Sequence, residues 1–141
     1  GGYPSGGGLF VKKVAECMKV GSHGSTFAGS PMAMSLANAV LDIMVKPGFD
    51  KHIFEMSKYF FDQLSEIKNK FPKIIKEIRG KGLLIGIQFF EEPTKFLTEF
   101  YNNKLITVKA SDNVIRILPP LIVKKKEIDE GINIIHKTFK Q

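Results

Sequence analysis

Ile74-Ile75-Lys76-Glu77-Ile78-Arg79-Gly80-Lys81-Gly82-Leu83-Leu84-Ile85-Gly86-Ile87-Gln88-Phe89 is the stretch where the apolar pattern changes period. Ile74, Lys76 and Ile78 alternate, then Leu83, Ile85, Ile87 and Phe89, and Arg79 to Gly82 supplies two glycines between the runs. A period of two lines one face of a strand, so two strands joined by a glycine turn are the simplest reading. Two β-branched runs follow, Leu105 to Val108 and Val114 to Leu118, joined by Lys109 to Asn113 as a hairpin or near-neighbour pair and stopped by Pro119-Pro120. The helical period returns at Pro93 and again at Lys126. The chain therefore reads as α/β, an α+β small domain whose mainly antiparallel sheet is covered by helices on one face.

Three helices flank this sheet in the sequence. One runs from about Asp50 to Lys70, with Ile53, Phe60, Leu64, Ile67 and Phe71 on one face, and Pro72 ends it. Glu91-Glu92-Pro93 opens the next, which carries Phe96, Leu97, Phe100 and Tyr101 and has its acidic start where the helix dipole favours it. The last, from Glu127 to about Phe139, buries Ile128, Ile132, Ile135 and Phe139. Upstream, Leu9 to Met18 reads as a short strand running into a helix. Met32, Leu36, Ala39, Val40 and Ile43 mark a well-buried helix closed by Lys46-Pro47-Gly48. The glycine loops and apolar helix of Gly1 to about Met44 need another body to cover them, so this region by itself is expected to expose apolar surface.

Composition narrows the function classes. With 141 residues, 43% hydrophobic content and twelve Phe, the chain can build one ordinary core. No apolar run approaches the roughly 20 residues of a membrane span, and no signal peptide is evident, so a cytoplasmic protein is expected. Cys17 is the single cysteine and reads as a small buried hydrophobe. The formal charge of +7 would suit a nucleic-acid partner, but the lysines are dispersed and the Phe residues sit in helical stripes instead of interleaving a basic face. No nucleic acid is expected. His23 reads as a loop-ordering hydrogen-bonder, and His52 and His136 lie on helices without ligand-spaced Cys, Asp or Glu, so no metal is assigned.

Gly21-Ser22-His23-Gly24-Ser25-Thr26-Phe27-Ala28-Gly29-Ser30-Pro31 is the stretch that carries chemistry. Glycines let backbone N–H groups approach a ligand, the hydroxyls donate, and a helix follows with Ser30 as N-cap and Pro31 at N1. Such a loop either binds an anion or merely connects two elements. It lacks the lysine of a Walker A loop. Arg116, flanked by Ile115 and Ile117, presents a guanidinium either to a ligand carboxylate or to a neighbouring glutamate.

Gly21 to Pro31 resembles the His-Gly-(Ser/Thr)-Thr-(Phe/Tyr)-x-Gly-Asn-Pro segment of the class III, pyridoxal-phosphate-dependent aminotransferases. Gly1-Gly2-Tyr3-Pro4 is similar to that family's Gly-Gly-(Phe/Tyr)-Pro turn, with departures at Ser5 and Gly7. The run Arg79 to Gly86 is similar to its strand entering the small domain, and Val114 to Val123 to its (Ile/Leu)-Arg-(Phe/Leu)-x-Pro-Pro-Leu segment. The resemblance covers nearly the whole chain and implies the carboxy-terminal portion of a fold type I enzyme. Residues 1–44 would close the large cofactor-binding domain and 45–141 would form the small domain. It implies that Thr26 binds the phosphate of pyridoxal 5'-phosphate, that Ser25 lines the substrate site and that Arg116 takes a substrate carboxylate. Ser30 replaces the family's Asn. The Schiff-base lysine is expected upstream of Gly1, which leaves no catalytic residue in this chain and makes it inactive alone.

The Gly-Ser-His-Gly-Ser-Thr-Phe wording favours the acetylornithine branch, which moves an amino group between N2-acetyl-L-ornithine and 2-oxoglutarate in arginine biosynthesis. Ornithine, succinylornithine and 4-aminobutyrate branches share most of it. The family further implies a homodimer in which loop 21–31 reaches the neighbouring subunit's cofactor.

Overall fold

A computed structural model describes residues 3–140; Gly1 and Gly2 of the Gly-Gly-Tyr-Pro tract lie outside them. The chain divides into two compact units, Gly1–Phe49 and Asp50–Gln141.

The second unit contains the sheet. Strands β1 (Ile75–Lys81), β2 (Leu84–Phe89), β3 (Val108–Ala110) and β4 (Val114–Ile117) form one antiparallel sheet in the order β1-β2-β4-β3. The expected four-stranded architecture is present, with local shifts. Arg79, Gly80 and Lys81 belong to β1, and the turn falls on Gly82-Leu83, so that Lys81 pairs with Leu84. Gly80 has φ +148°, and a Cβ there would stand 2.1 Å from the Leu84 carbonyl oxygen, so the strand passes through a position that only glycine fills. A bulge between Ile75 and Glu77 also resets the phase. Ile75, not Ile74, is the residue buried to 1% exposure. The third strand lies later than Leu105–Val108, because Lys104 takes φ +69° and Leu105 N–H bonds to the Phe100 carbonyl at 2.8 Å, which closes the preceding helix.

Helices α3 (Phe49–Lys70), α4 (Thr94–Asn102) and α5 (Lys125–Phe139) complete the layer. Their apolar stripes and the inward rows of the sheet make one core, including Phe60, Leu64, Ile67, Ile85, Ile87, Phe89, Ile115, Ile128 and Ile135. The core closes on Phe139. Its ring lies 5.0 Å from Phe96, 5.6 Å from Phe71, 5.9 Å from Phe89 and 6.0 Å from Phe100, mostly edge to face. Polar ties fix the helices further. Ser57 Oγ donates to the Gly82 carbonyl at 2.7 Å, and the Tyr59 hydroxyl donates to Asp129 at 2.6 Å. That bond raises the Tyr59 pKa, with desolvation and the charge of Asp129 adding to it.

In the first unit, α1 (Lys12–Ala15) and α2 (Pro31–Met44) are the helices. Leu9 to Val11 forms no strand, because among the described residues of the unit no other segment offers an edge to pair with. The α2 stripe was expected to be buried, yet Met32 is 65% exposed and Ile43 48%, and Ala33 is the buried residue of this helix. Cys17 is exposed as well, contrary to its reading as a buried hydrophobe, because α1 contributes no buried residue. The expectation that this region exposes apolar surface holds.

Glu92 joins α4 to β3. Its carboxylate accepts from the Lys109 ammonium, from the Thr94 hydroxyl at 2.6 Å and from the Thr94 N–H at 3.0 Å, serving as the helix's cap from two residues before it begins. Lys109 first and Thr94 second pull its pKa from 4.5 to about 2. A carboxylate with a depressed folded pKa adds stability above its unfolded value and loses it as pH falls toward the folded one. The melting-temperature gap between the chain and Glu92→Gln should therefore shrink as pH is lowered from about 4.5 to about 2; a constant gap would show that the bonds contribute nothing. In denaturant unfolding, Phe139→Ala should lose about 3–5 kcal/mol, while Phe54→Ala on the exposed side of α3 should lose under about 1.

Candidate functional site

The loop ahead of α2 is a series of tight turns whose glycines are placed by conformation. Gly21 and Gly29 have φ +86° and +72°, the left-handed region that other residues enter at a cost. Ser22 N–H donates to the Lys19 carbonyl at 2.9 Å and Lys19 N–H returns a bond to Ser22 Oγ at 2.9 Å. Ala28 N–H reaches the Ser25 carbonyl at 3.0 Å, and Ser30 N–H the Phe27 carbonyl at 3.2 Å. Folded this way, the backbone holds Ser25 and Thr26 on an exposed turn.

Their donor atoms remain available. Ser25 Oγ accepts from Phe27 N–H at 3.3 Å, which leaves its hydroxyl proton free to donate. Among the described residues, the Thr26 hydroxyl and N–H have no acceptor. Two hydroxyls and a backbone N–H facing solvent suit phosphate oxygens, and bonds to such an anion are about twice as strong as neutral ones. Ser30 occupies the N-cap position with Pro31 at N1, but its side chain makes no capping bond; Met34 N–H closes the first turn on the Ser30 carbonyl at 2.9 Å.

Arg116 lies in the other unit, on β4. Ile115 and Ile117 turn into the core at 0% and 5% exposure, so the alternation of the strand turns Arg116 outward. Among the described residues, no carboxylate pairs with it. The glutamate pairing that sequence left open is thus not made. Gly86 stands opposite Arg116 on β2, and Arg79 opposite Gly86 on β1. Directly opposed residues of antiparallel strands share a face, so Arg79, Gly86 and Arg116 form one row. Arg79 was not singled out from sequence, although the two arginines of the chain fall in this row.

Ser25 and Thr26 are neighbours in the first unit, and Arg116 belongs to the second. A groove of about 610 Å³ between Ser5–Leu9 and α2 includes none of the three. His52 Nε2 and Thr107 Oγ1 are buried without a partner among the described residues, which nothing in the sequence marked. No described helix is long and apolar enough to cross a membrane.

The family model described as Aminotransferase class-III matches residues 1–139. An acetylornithine aminotransferase of Bradyrhizobium diazoefficiens is 45% identical over 132 residues, covering 94% of this chain and 33% of that protein. One from Clostridium acetobutylicum is 39% identical, covering 99% of this chain and 36% of its own length. The chain thus spans about a third of the curated relatives it matches. Among solved structures, an ornithine aminotransferase of Plasmodium yoelii is 35% identical with TM-score 0.72, covering 87% of this chain and 33% of that one. The acetylornithine aminotransferase of Elizabethkingia anophelis is 29% identical with TM-score 0.72, covering 89% and 34%.

The exposed turns of residues 21–31 and the packed α5 should separate in amide hydrogen exchange. Ile132 and Ile135 amides should be protected at least about 100-fold more than those of Gly24 and Thr26, since exchange protection follows burial and bonding. Equal protection would mean that the loop is held by contacts absent from this structure.

Proposed function

The chain belongs to the class-III aminotransferase family, and on that footing we propose that it is the carboxy-terminal part of an acetylornithine aminotransferase. The reaction would move an amino group between N2-acetyl-L-ornithine and 2-oxoglutarate, a step of arginine biosynthesis in the cytoplasm. The observation that carries this reading is the similarity to acetylornithine aminotransferases along almost the whole chain. A second reading, with ornithine as donor, is favoured by the likeness to the Plasmodium yoelii structure.

Pyridoxal 5'-phosphate, when bound, supplies the electron sink that stabilises a carbanion next to the transferred nitrogen. The residues of this chain position reactants. Thr26 donates through its hydroxyl and N–H to phosphate oxygens, using the two donors that the loop leaves without an acceptor. Ser25 donates its remaining proton towards the amino donor while Phe27 N–H fixes its oxygen. Arg116 takes a substrate carboxylate in the planar two-bond geometry that a guanidinium provides. The residue that holds and moves the proton at the reacting carbon is a lysine contributed by another stretch of the enzyme. A homodimer, with loop 21–31 reaching the partner's cofactor, would bring these elements together and cover the exposed face of α2.

This chain mixed with pyridoxal phosphate should show no stable visible absorbance from a lysine-bound cofactor and no transamination. Joined to the rest of the enzyme, it should show both. In that enzyme Thr26→Ala should weaken cofactor binding about tenfold or more, because a hydrogen bond to a charged group contributes about 1.5–3 kcal/mol. Unchanged cofactor affinity would remove Thr26 from the site, and steady turnover by the 141-residue chain would overturn the assignment of the lysine elsewhere.

A further inference from the structure

His136 stands on α5 at the edge of its buried stripe, one turn after Ile132 and three residues before Phe139, and it is partly buried there. Its ring meets Phe71, the residue that follows α3, edge to face at 5.7 Å, and Phe71 meets Phe139 at 5.6 Å. Two rings of α5 thus hold one ring of α3. The Phe71 N–H bonds to the Ile67 carbonyl at 2.9 Å, so the residue between them is itself fixed to the end of α3. Whatever moves the imidazole from Phe71 also disturbs the contact through which Phe139 is seated.

The charges that act on this imidazole are positive. Lys140 stands on the next turn of α5, and Lys70 is the last residue of α3. Lys68, Lys73 and Lys137, close in sequence at the same two helix ends, carry the same sign. Among the described residues no carboxylate pairs with His136. Glu66, one turn before Lys70, acts on Tyr59 instead. Burial first, then Lys140 and Lys70, lower the His136 pKa from 6.5. A histidine of this kind contributes stability that is fully present above its unfolded value and is lost as pH falls through the folded one. Neutral, the ring packs as an aromatic beside Phe71; charged, it needs water or an anion, which the lysines around it do not offer.

We propose that His136 is a proton-sensitive latch on the last turn of α5: uncharged, it holds that turn against Phe71, and on taking up a proton it lets residues 136–139 loosen from the aromatic cluster. The device lies within the second unit and operates whatever reaction the complete enzyme performs.

Amide hydrogen exchange of the 141-residue chain, read by NMR between about pH 8 and about pH 5.5, tests it. The protection factors of Ile135 to Phe139 should fall at least about twofold over this range, in step with the His136 ring resonance. Shift changes should gather at Phe71, His136 and Phe139 and leave Ile85 and Ile115 in place. His136→Gln and His136→Phe, one polar and one aromatic, should each abolish the fall, which a merely structural role for the side chain would not do. Lys70→Gln should shrink it, because removing a like charge makes the folded histidine easier to protonate. A chain with His23→Gln and His52→Gln, which keeps His136 as its one histidine, should retain it. Protection that does not change with pH, a fall that survives both His136 variants, or a fall that vanishes when the other two histidines are replaced would overturn the proposal.

Discussion

The second unit depends on the meeting of five aromatic rings at Phe139. Phe71 follows the end of α3, Phe89 ends β2, Phe96 and Phe100 belong to α4, and Phe139 is the last residue of α5. One ring therefore contacts every helix-bearing segment of the unit and the second strand of its sheet. Each edge-to-face pair adds about 0.5–1.5 kcal/mol beyond burial, and the cluster fixes where α5 ends relative to the sheet. With α5 held, Ile128 and Ile135 join Ile85, Ile87 and Ile115 in one core, and the sheet has one dry face and one open face.

That asymmetry was legible in the sequence because it follows from period alone. Leu83, Ile85, Ile87 and Phe89 announce β2 in the correct phase, and Ile128, Ile132, Ile135 and Phe139 announce the buried stripe of α5 residue for residue. The misplaced boundaries each have a local cause that the period does not encode. Gly80 reads as a turn glycine, yet it sits inside β1 at φ +148° against the Leu84 carbonyl. The bulge after Ile75 shifts the apolar phase by one, and the capture of Leu105 N–H by Phe100 delays β3 until Val108. In each case a backbone geometry, invisible in residue type, overrides an apolar alternation that is correct a few residues away.

The candidate site was legible in a different way. Gly21, Gly29 and the Ser25-Thr26 pair are visible as residue types, and the structure adds that, among the described residues, neither hydroxyl proton nor the Thr26 N–H has an acceptor. The burial of α2 was misjudged because its apolar stripe states only that a partner surface is needed. Met32, Leu36 and Ile43 are indistinguishable in sequence from a helix buried within its own unit. Arg79 was missed for a related reason: strand register, not spacing along the chain, places it in line with an arginine that follows it by more than thirty residues.

The separation of roles in this small sheet has a simple physical basis. A strand alternates faces, so Ile115 and Ile117, needed by the core, oblige Arg116 to face out, and Ile85 and Ile87 place Gly86 on that same outer face. The side chains that stabilise the fold thus also orient the charged row, with no side-chain hydrogen bond to either arginine among the described residues. Stability and outward charge remain separable as a result. A substitution at Arg116 or Arg79 leaves the inward rows untouched, whereas slipping β4 by one residue would bury a guanidinium without a partner and expose two isoleucines. The cost of that slip is what holds the register, and the register is what holds Arg79, Gly86 and Arg116 in line.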